Sequence, residues 1–139
     1  MSFSLRDASL QQSAALPNGA TSTSTGSIDL GVNASGLASN PGGVLADFEV
    51  QIQAPVLATA ALPNTDTMTY SIETSPDNST WTVLYGTALT QTGAGGAGAP
   101  AATQNVRLPV GCNRYVRGQA TNSGAGNCSG SNFVIALLF

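Results

Sequence analysis

The chain has 139 residues with a formal net charge of −3, from four arginines, seven acidic residues, no lysine and no histidine. Charged residues make up only 8% of the sequence, whereas hydrophobic residues make up 42%, enough for one packed core. This scarcity of basic residues argues against nucleic-acid binding and against a polybasic membrane contact, because both need clustered lysine or arginine.

Targeting and membrane signals are also missing from the sequence. No segment approaches the roughly 18–20 apolar residues of a transmembrane helix. The first residues, M-S-F-S-L-R-D-A-S-L, lack the basic and then apolar regions of a signal peptide. We therefore expect the chain to fold in the cytoplasm of the producing cell, with neither nucleic acid nor a membrane as a partner.

The residue types needed for common catalytic and metal sites are absent or dispersed. Without histidine there is no Ser-His-Asp or Cys-His pair and no imidazole ligand. Asp47 and Glu49 share one face of a predicted strand, a spacing more typical of a solvated face than of a glycosidase pair. Cys112 and Cys128 bracket a predicted strand, which would hold them about 20 Å apart and prevent a disulfide. We expect no enzymatic activity, no metal and no cofactor.

In chain order, residues 1–26 are mostly small and polar and are predicted to form an N-terminal arm. Residues 5–16 are compatible with a short helix, although the periodicity is weak. An arm of this composition either stays partly ordered or becomes ordered against another subunit. We expect deletion of residues 2–16 to spare the fold and to weaken binding to a partner.

Residues 27–139 are predicted to form one β domain. Strands are expected over residues 27–30 and 47–54, the latter with alternating apolar and polar side chains. The clearest element is a hairpin over residues 68–84, in which S-P-D-N-S supplies the turn between two alternating runs. Tyr70 and Ile72 on one side, and Trp81 and Val83 on the other, are predicted to face the core.

After the hairpin, residues 86–105 are predicted to form a long Gly/Ala-rich loop, either flexible or fitted against a symmetry-related subunit. Strands follow over residues 106–110, 114–120 and 133–139. The last of these, F-V-I-A-L-L-F, is apolar at both parities, so we expect it to be covered on both sides. The absence of lysine leaves sheet edges without their usual protection, which favours edges covered by neighbouring chains.

This pattern predicts an all-β fold, an antiparallel β-sandwich of the jelly-roll type with an extended N-terminal arm. The predicted core residues are Phe48, Val50, Ile52, Tyr70, Ile72, Trp81, Val83, Phe133, Ile135 and Leu137. The predicted contacts with other subunits come from the arm, from outward arginines and from the second face of the last strand. They are Phe3, Leu5, Arg6, Arg107, Arg117, Val134 and Leu138.

The hairpin T-Y-S-I-E-T-S-P-D-N-S-T-W-T-V-L, the segments V-R-L-P-V-G and R-Y-V-R-G-Q-A, and the apolar closing strand together resemble small capsid cement (head decoration) proteins of tailed bacteriophages. The resemblance covers roughly residues 45–139. It implies a jelly-roll protein, often a homotrimer, that binds the outer surface of the phage head and stabilises contacts between major capsid proteins. Gly118 and the Gly/Ala-rich loop depart from that pattern.

An alternative remains open, because an S-P-D-x-x-x-W hairpin also resembles that of discoidin-like carbohydrate-binding sandwiches. The chain would then be a carbohydrate-binding module or a tail-fibre domain that uses Trp81 and Tyr85. The burial of Trp81 distinguishes the two hypotheses: it lies in the core under the first and is exposed under the second.

Overall fold

The computed structural model describes residues 6–30, 49–109 and 112–138, with side chains from residue 10 onward in the first range. These residues form strands joined by turns and short loops, and no described residue is helical. The strands are β1 (Arg6–Ala15), β2 (Ser22–Ser24), β3 (Ile28–Asp29), β4 (Glu49–Ala54), β5 (Thr67–Ser75), β6 (Thr82–Thr92), β7 (Ala102–Arg107), β8 (Tyr115–Asn122) and β9 (Asn132–Leu138).

The strands form two antiparallel sheets. The first sheet has the order β1-β9-β4-β7, and the second has the order β2-β8-β5-β6, with β3 also paired to β8. Strands from opposite ends of the chain pair with each other: β1 with β9, β2 and β3 with β8, β4 with β7, and β5 with β6. This is the nesting of a long hairpin folded over on itself, so the fold is an all-β sandwich with jelly-roll connectivity.

The helix predicted over residues 5–16 is wrong, because residues 6–15 form β1 along the edge of β9. A helix of this length is marginal in isolation, and pairing with an apolar strand outweighs a weak helical preference. The boundary predicted at residue 26 falls between β2 and β3, which both pair with β8.

The core lies between the sheets and contains most of the side chains predicted for it. Tyr70 and Phe133 are fully buried, and their ring centroids lie 5.5 Å apart. The other predicted core residues that the structure buries are Val50, Ile52, Ile72, Ile135 and Leu137. Phe48 lies outside the described residues.

Trp81 and Val83 do not lie in the core, contrary to the sequence prediction. Trp81 is half-buried, which is not the core position expected of it under the decoration hypothesis, and Val83 is 57% exposed. Tyr85 pairs with Ile72 of the inner face, but a register shift follows, and Val83 pairs with Glu73 of the outer face. One extra residue in β6 therefore moves the start of this strand to the opposite face of the sheet.

The predicted loop over residues 86–105 is mostly strand, because β6 continues to Thr92 and β7 begins at Ala102. The remaining Gly-rich loop packs against residues 57–66 of the same chain. Leu57 and Ala99 exchange two backbone hydrogen bonds of 2.8 Å. Gly98 has φ of +65°, and a Cβ there would lie 2.0 Å from the carbonyl oxygen of Leu57. Close backbone packing within one chain thus explains this loop.

Most of the sheet edges are protected without lysine. At the edges of the second sheet, β2 and β3 have only three and two residues, and β6 contains two register shifts. At one edge of the first sheet, β1 contains a register shift between Arg6 and Gln11. Short or bulged edges are poor templates for pairing with another chain, so these edges do not require covering by neighbours. The edge formed by β7 is different, because its six residues pair with β4 in regular register.

Gly118 lies on the inner face of β8, where a Cβ would be 2.6 Å from Cγ2 of Ile135 and 3.1 Å from Cε2 of Phe133. We expect Gly118→Ala to lower the free energy of unfolding by about 1–3 kcal/mol, because the added methyl overpacks the contact between the sheets. Urea denaturation measures this change. Gly130→Ala, in the loop before β9, is the matched control, since a Cβ at that position would meet nothing within 4 Å. An unchanged stability for Gly118→Ala would contradict the packing argument.

Candidate functional site

The outer face of the first sheet brings together several residues predicted to contact other subunits. Pairing aligns Arg6, Leu138, Glu49 and Arg107 in one row across all four strands. Val134 lies on the same face of β9, opposite Gln53. We call this surface the amide face. Its outward residues in β9, β4 and β7 are Val134, Ala136, Leu138, Glu49, Gln51, Gln53, Thr103, Asn105 and Arg107.

Apolar side chains run along the centre of the amide face. Ala136 is fully buried, Leu138 is 6% exposed, and Val134 is half-buried, although all three point away from the core. The side chains on both faces of β9 are therefore largely shielded from solvent, as expected for a strand with two apolar faces. Arg107 remains exposed at the edge of this face.

Uncharged amides beside β9 form a connected ladder. Gln53 Nε2 donates to Gln51 Oε1 at 2.6 Å, and Gln51 Nε2 donates to Asn105 Oδ1 at 3.2 Å. Asn105 Nδ2 then donates to Glu49 Oε2 at 3.3 Å. Because these polar groups are already paired with each other, covering this part of the face costs less than desolvating free charges.

The outer face of the second sheet carries a different set of side chains, which we call the aromatic strip. It consists of the outward residues of β8, their neighbours on β2, β3 and β5, and the residues that immediately precede β8 and β6. They are Tyr115, Arg117, Gln119, Thr121, Arg114, Asp29, Ser24, Ser71, Glu73 and Trp81. Two of the four arginines and two of the seven acidic residues of the chain lie here.

Arg117 is the centre of this strip. Its Nε donates to Glu73 Oε2 at 2.6 Å, and its guanidinium lies over the Trp81 ring, 4.2 Å from the centroid. The Glu73 side chain is only 9% exposed. The ion pair and the aromatic contact together fix the guanidinium plane, which is the arrangement that makes arginine a directional hydrogen-bond donor.

A second ion pair lies at the same end of the strip. Arg114 donates to both carboxylate oxygens of Asp29, at 2.8 and 2.7 Å, and its guanidinium lies 5.0 Å from the Tyr115 ring centroid. The hydrogen bonding with Asp29 raises the pKa of Arg114. Within each ion pair the two opposite charges cancel, so this end of the strip is polar and aromatic but carries no net charge.

The structure thus divides the predicted contact residues between two opposite faces. Arg107, Val134 and Leu138 lie on the amide face with the backbone of Arg6, and Arg117 lies on the aromatic strip. Phe3 and Leu5 lie outside the described residues. Sequence reasoning missed Glu73 and Trp81 as partners of Arg117, although the alternation Y-V-R-G-Q in β8 already places Tyr115, Arg117 and Gln119 on one face.

Tyr85 belongs to neither surface, although the carbohydrate hypothesis placed it beside Trp81. Its hydroxyl donates to the carbonyl oxygen of Arg107, which connects β6 to β7 of the opposite sheet. Tyr85 therefore joins the two sheets at one side of the sandwich.

The two cysteines and Asp77 are engaged within the fold. Cys112 and Cys128 are free and buried, and burial raises the pKa of both thiols. Asp77 accepts hydrogen bonds from the backbone N–H groups of Thr80 and Ser79 in the hairpin turn, which lower its pKa to about 2. Among the described residues, no three potential metal ligands come together. The same residues contain no apolar helix of membrane-spanning length.

No protein-family model matches the chain, and no curated protein matches it. The solved structures that are similar to it include the following two. The PBSX exported protein XepA has 19% sequence identity and a TM-score of 0.46, over 91% of this chain and 34% of its own. The xylan-binding module CBM15 has 9% identity and a TM-score of 0.43, over 99% of this chain and 95% of its own. The chain therefore spans about a third of XepA, and its classification as a β-sandwich comes from its own strand pairing.

Proposed function

We propose that the chain is a non-catalytic decoration protein of a phage head, which binds the outer surface of the capsid and stabilises contacts between major capsid proteins. The observation that carries the proposal is the amide face. Residues far apart in the sequence form one surface there, with the half-buried Val134 on β9 and hydrogen-bonded amides beside it.

The energetics of this face suit attachment to an assembled shell. Val134, Gln51, Gln53 and Asn105 are uncharged, so covering this part of the face has a small desolvation cost, and the charged residues Glu49 and Arg107 lie in one row at the end of the face. Arg107 lies at the edge, where an exposed arginine contributes to specificity and association rate more than to affinity. A protein that binds only the assembled lattice stabilises it by mass action, and modest contacts suffice when many copies bind.

The proposal includes self-association as a homotrimer on the virion surface, with the major capsid protein as the other partner. It includes no catalysis, cofactor, nucleic acid or membrane. Light scattering of the purified protein measures the number of subunits in solution, and the copy number on purified heads measures the number on the shell.

Co-sedimentation with heads of the encoding phage, prepared without this protein, tests the proposal. The wild-type chain should bind in a fixed copy number, and Arg107→Glu and Val134→Asp should each weaken binding about tenfold or more. Val83→Glu is the control, because Val83 is exposed on the opposite sheet. If the chain does not bind these heads, or if all three variants bind equally well, the proposal is wrong.

A further inference from the structure

The aromatic strip has the dimensions of an extended ligand site. Tyr115, Arg117, Gln119 and Thr121 follow one another at two-residue spacing along β8, which gives a row about 20 Å long. The first three are half-buried and Thr121 is exposed. Gln119 Nε2 donates to Ser24 Oγ at 3.4 Å, and Thr121 shares a 2.8 Å hydrogen bond with Ser22.

The β5 side of the strip is covered by side chains of the neighbouring strand. Ser71 and Glu73 point away from the core, yet they are only 8% and 7% exposed. Their neighbours across β8 are Gln119 and Arg117, which shield them from solvent. The accessible surface of the strip is therefore formed by Arg117, Gln119 and the adjacent Trp81.

The polar groups of the strip are fixed before any ligand arrives. Arg117 uses Nε for Glu73 and the face of its guanidinium for Trp81, and no described residue engages its Nη groups. The guanidinium is therefore held in place while its Nη groups can still donate hydrogen bonds, and this reduces the entropy cost of ordering the side chain when a ligand binds.

We propose that the aromatic strip binds a neutral oligosaccharide. Sugar hydroxyls suit guanidinium, amide and hydroxyl side chains in a row, and sugar C–H groups suit the parts of the Trp81 and Tyr115 rings that the two arginines do not cover. The ion pairs Arg117–Glu73 and Arg114–Asp29 leave the strip without net charge. A polyanionic sugar would meet Glu73 and Asp29 and is disfavoured. This activity uses the face opposite the amide face and is independent of capsid binding.

Trp81 is the single tryptophan of the chain, so intrinsic fluorescence reports on this strip alone. The test is titration of the full chain with cellohexaose, maltohexaose and chitohexaose, followed by tryptophan emission and by calorimetry. We expect a saturable change in emission with at least one of these sugars, and weaker or no binding of hexagalacturonate.

Variants locate the binding site. Arg117→Gln and Arg117→Lys should each weaken binding about tenfold or more, because both remove the fork. Trp81→Ala should do the same by calorimetry. Arg107→Gln on the amide face should leave saccharide affinity unchanged, and circular dichroism confirms that each variant is folded.

Three outcomes would overturn the proposal. The first is that none of the three neutral hexasaccharides produces an emission change or heat at concentrations of roughly 5 mM. The second is that a sugar binds but Arg117→Gln and Trp81→Ala bind it normally. The third is that these variants lose binding to phage heads and the wild type binds no sugar, which would make the strip a protein-docking surface.

Discussion

Gln91→Ala is expected to lower the free energy of unfolding by about 2–4 kcal/mol, because it removes the buried hydrogen bond with the Tyr70 hydroxyl and two partly buried hydrogen bonds with backbone carbonyls. Gln91 is 4% exposed. Its Oε1 accepts from the Tyr70 hydroxyl at 2.7 Å, and its Nε2 donates to the carbonyl oxygens of Pro55 and Pro100, both at 2.8 Å. This one amide connects β5, β6 and the segments after β4 and before β7.

Urea denaturation measures the effect, with Gln104→Ala as the matched control, since Gln104 is exposed on β7. Tyr70→Phe should cost less than Gln91→Ala, because it removes one hydrogen bond and keeps the two to the carbonyls. In a double-mutant cycle, Tyr70→Phe and Gln91→Ala should be non-additive. Additive effects, or equal free energies of unfolding for Gln91→Ala and Gln104→Ala, would show that the Gln91 amide does not couple these segments.

Deletion of residues 2–16 is expected to lower Tm by roughly 10–20 °C or to cause aggregation, contrary to the expectation from sequence that this segment is dispensable for folding. The deletion removes β1 and Leu16, which is 1% exposed in the core. It also turns β9 into an edge strand with apolar side chains on both faces, a template for pairing between chains.

Differential scanning calorimetry and light scattering measure these changes. Ser13→Glu is the control within β1, because Ser13 is exposed and its substitution removes no strand pairing. A shortened chain that stays monomeric and melts at the wild-type temperature would show that β1 contributes little to the sandwich.

Much of the architecture could be predicted from local patterns. The alternation in β4, β5 and β8 placed Val50, Ile52, Tyr70 and Ile72 on inner faces, and the Gly- and Asn-rich segments separated the strands. Such patterns depend on two-residue periodicity within one strand, which requires no knowledge of the partner. The weakest predictions were those in which the partner decided the conformation, as in β1 and the second half of β6.

Trp81 shows why the site was harder to predict than the fold. Strict alternation would place Trp81 on the same side of the strand as Tyr85, which suggested a position in the core. The register shift in β6 instead gives Trp81 a contact with Arg117 of β8. A bulge depends on how two strands fit against each other, and nothing in the residues of one strand specifies it. The same holds for Glu73, whose role becomes visible only when β5 and β8 are paired.

The class of the fold, the apolar strands of the core and the scarcity of charge follow from the amino-acid sequence alone, because they depend on composition and on periodicity along the chain. The face that each side chain of the hairpin takes, the protection of the edges and the pairing of the charges follow only from the folded molecule. Those outcomes depend on strand register, and register is set by contacts between segments as far apart in sequence as β1 and β9.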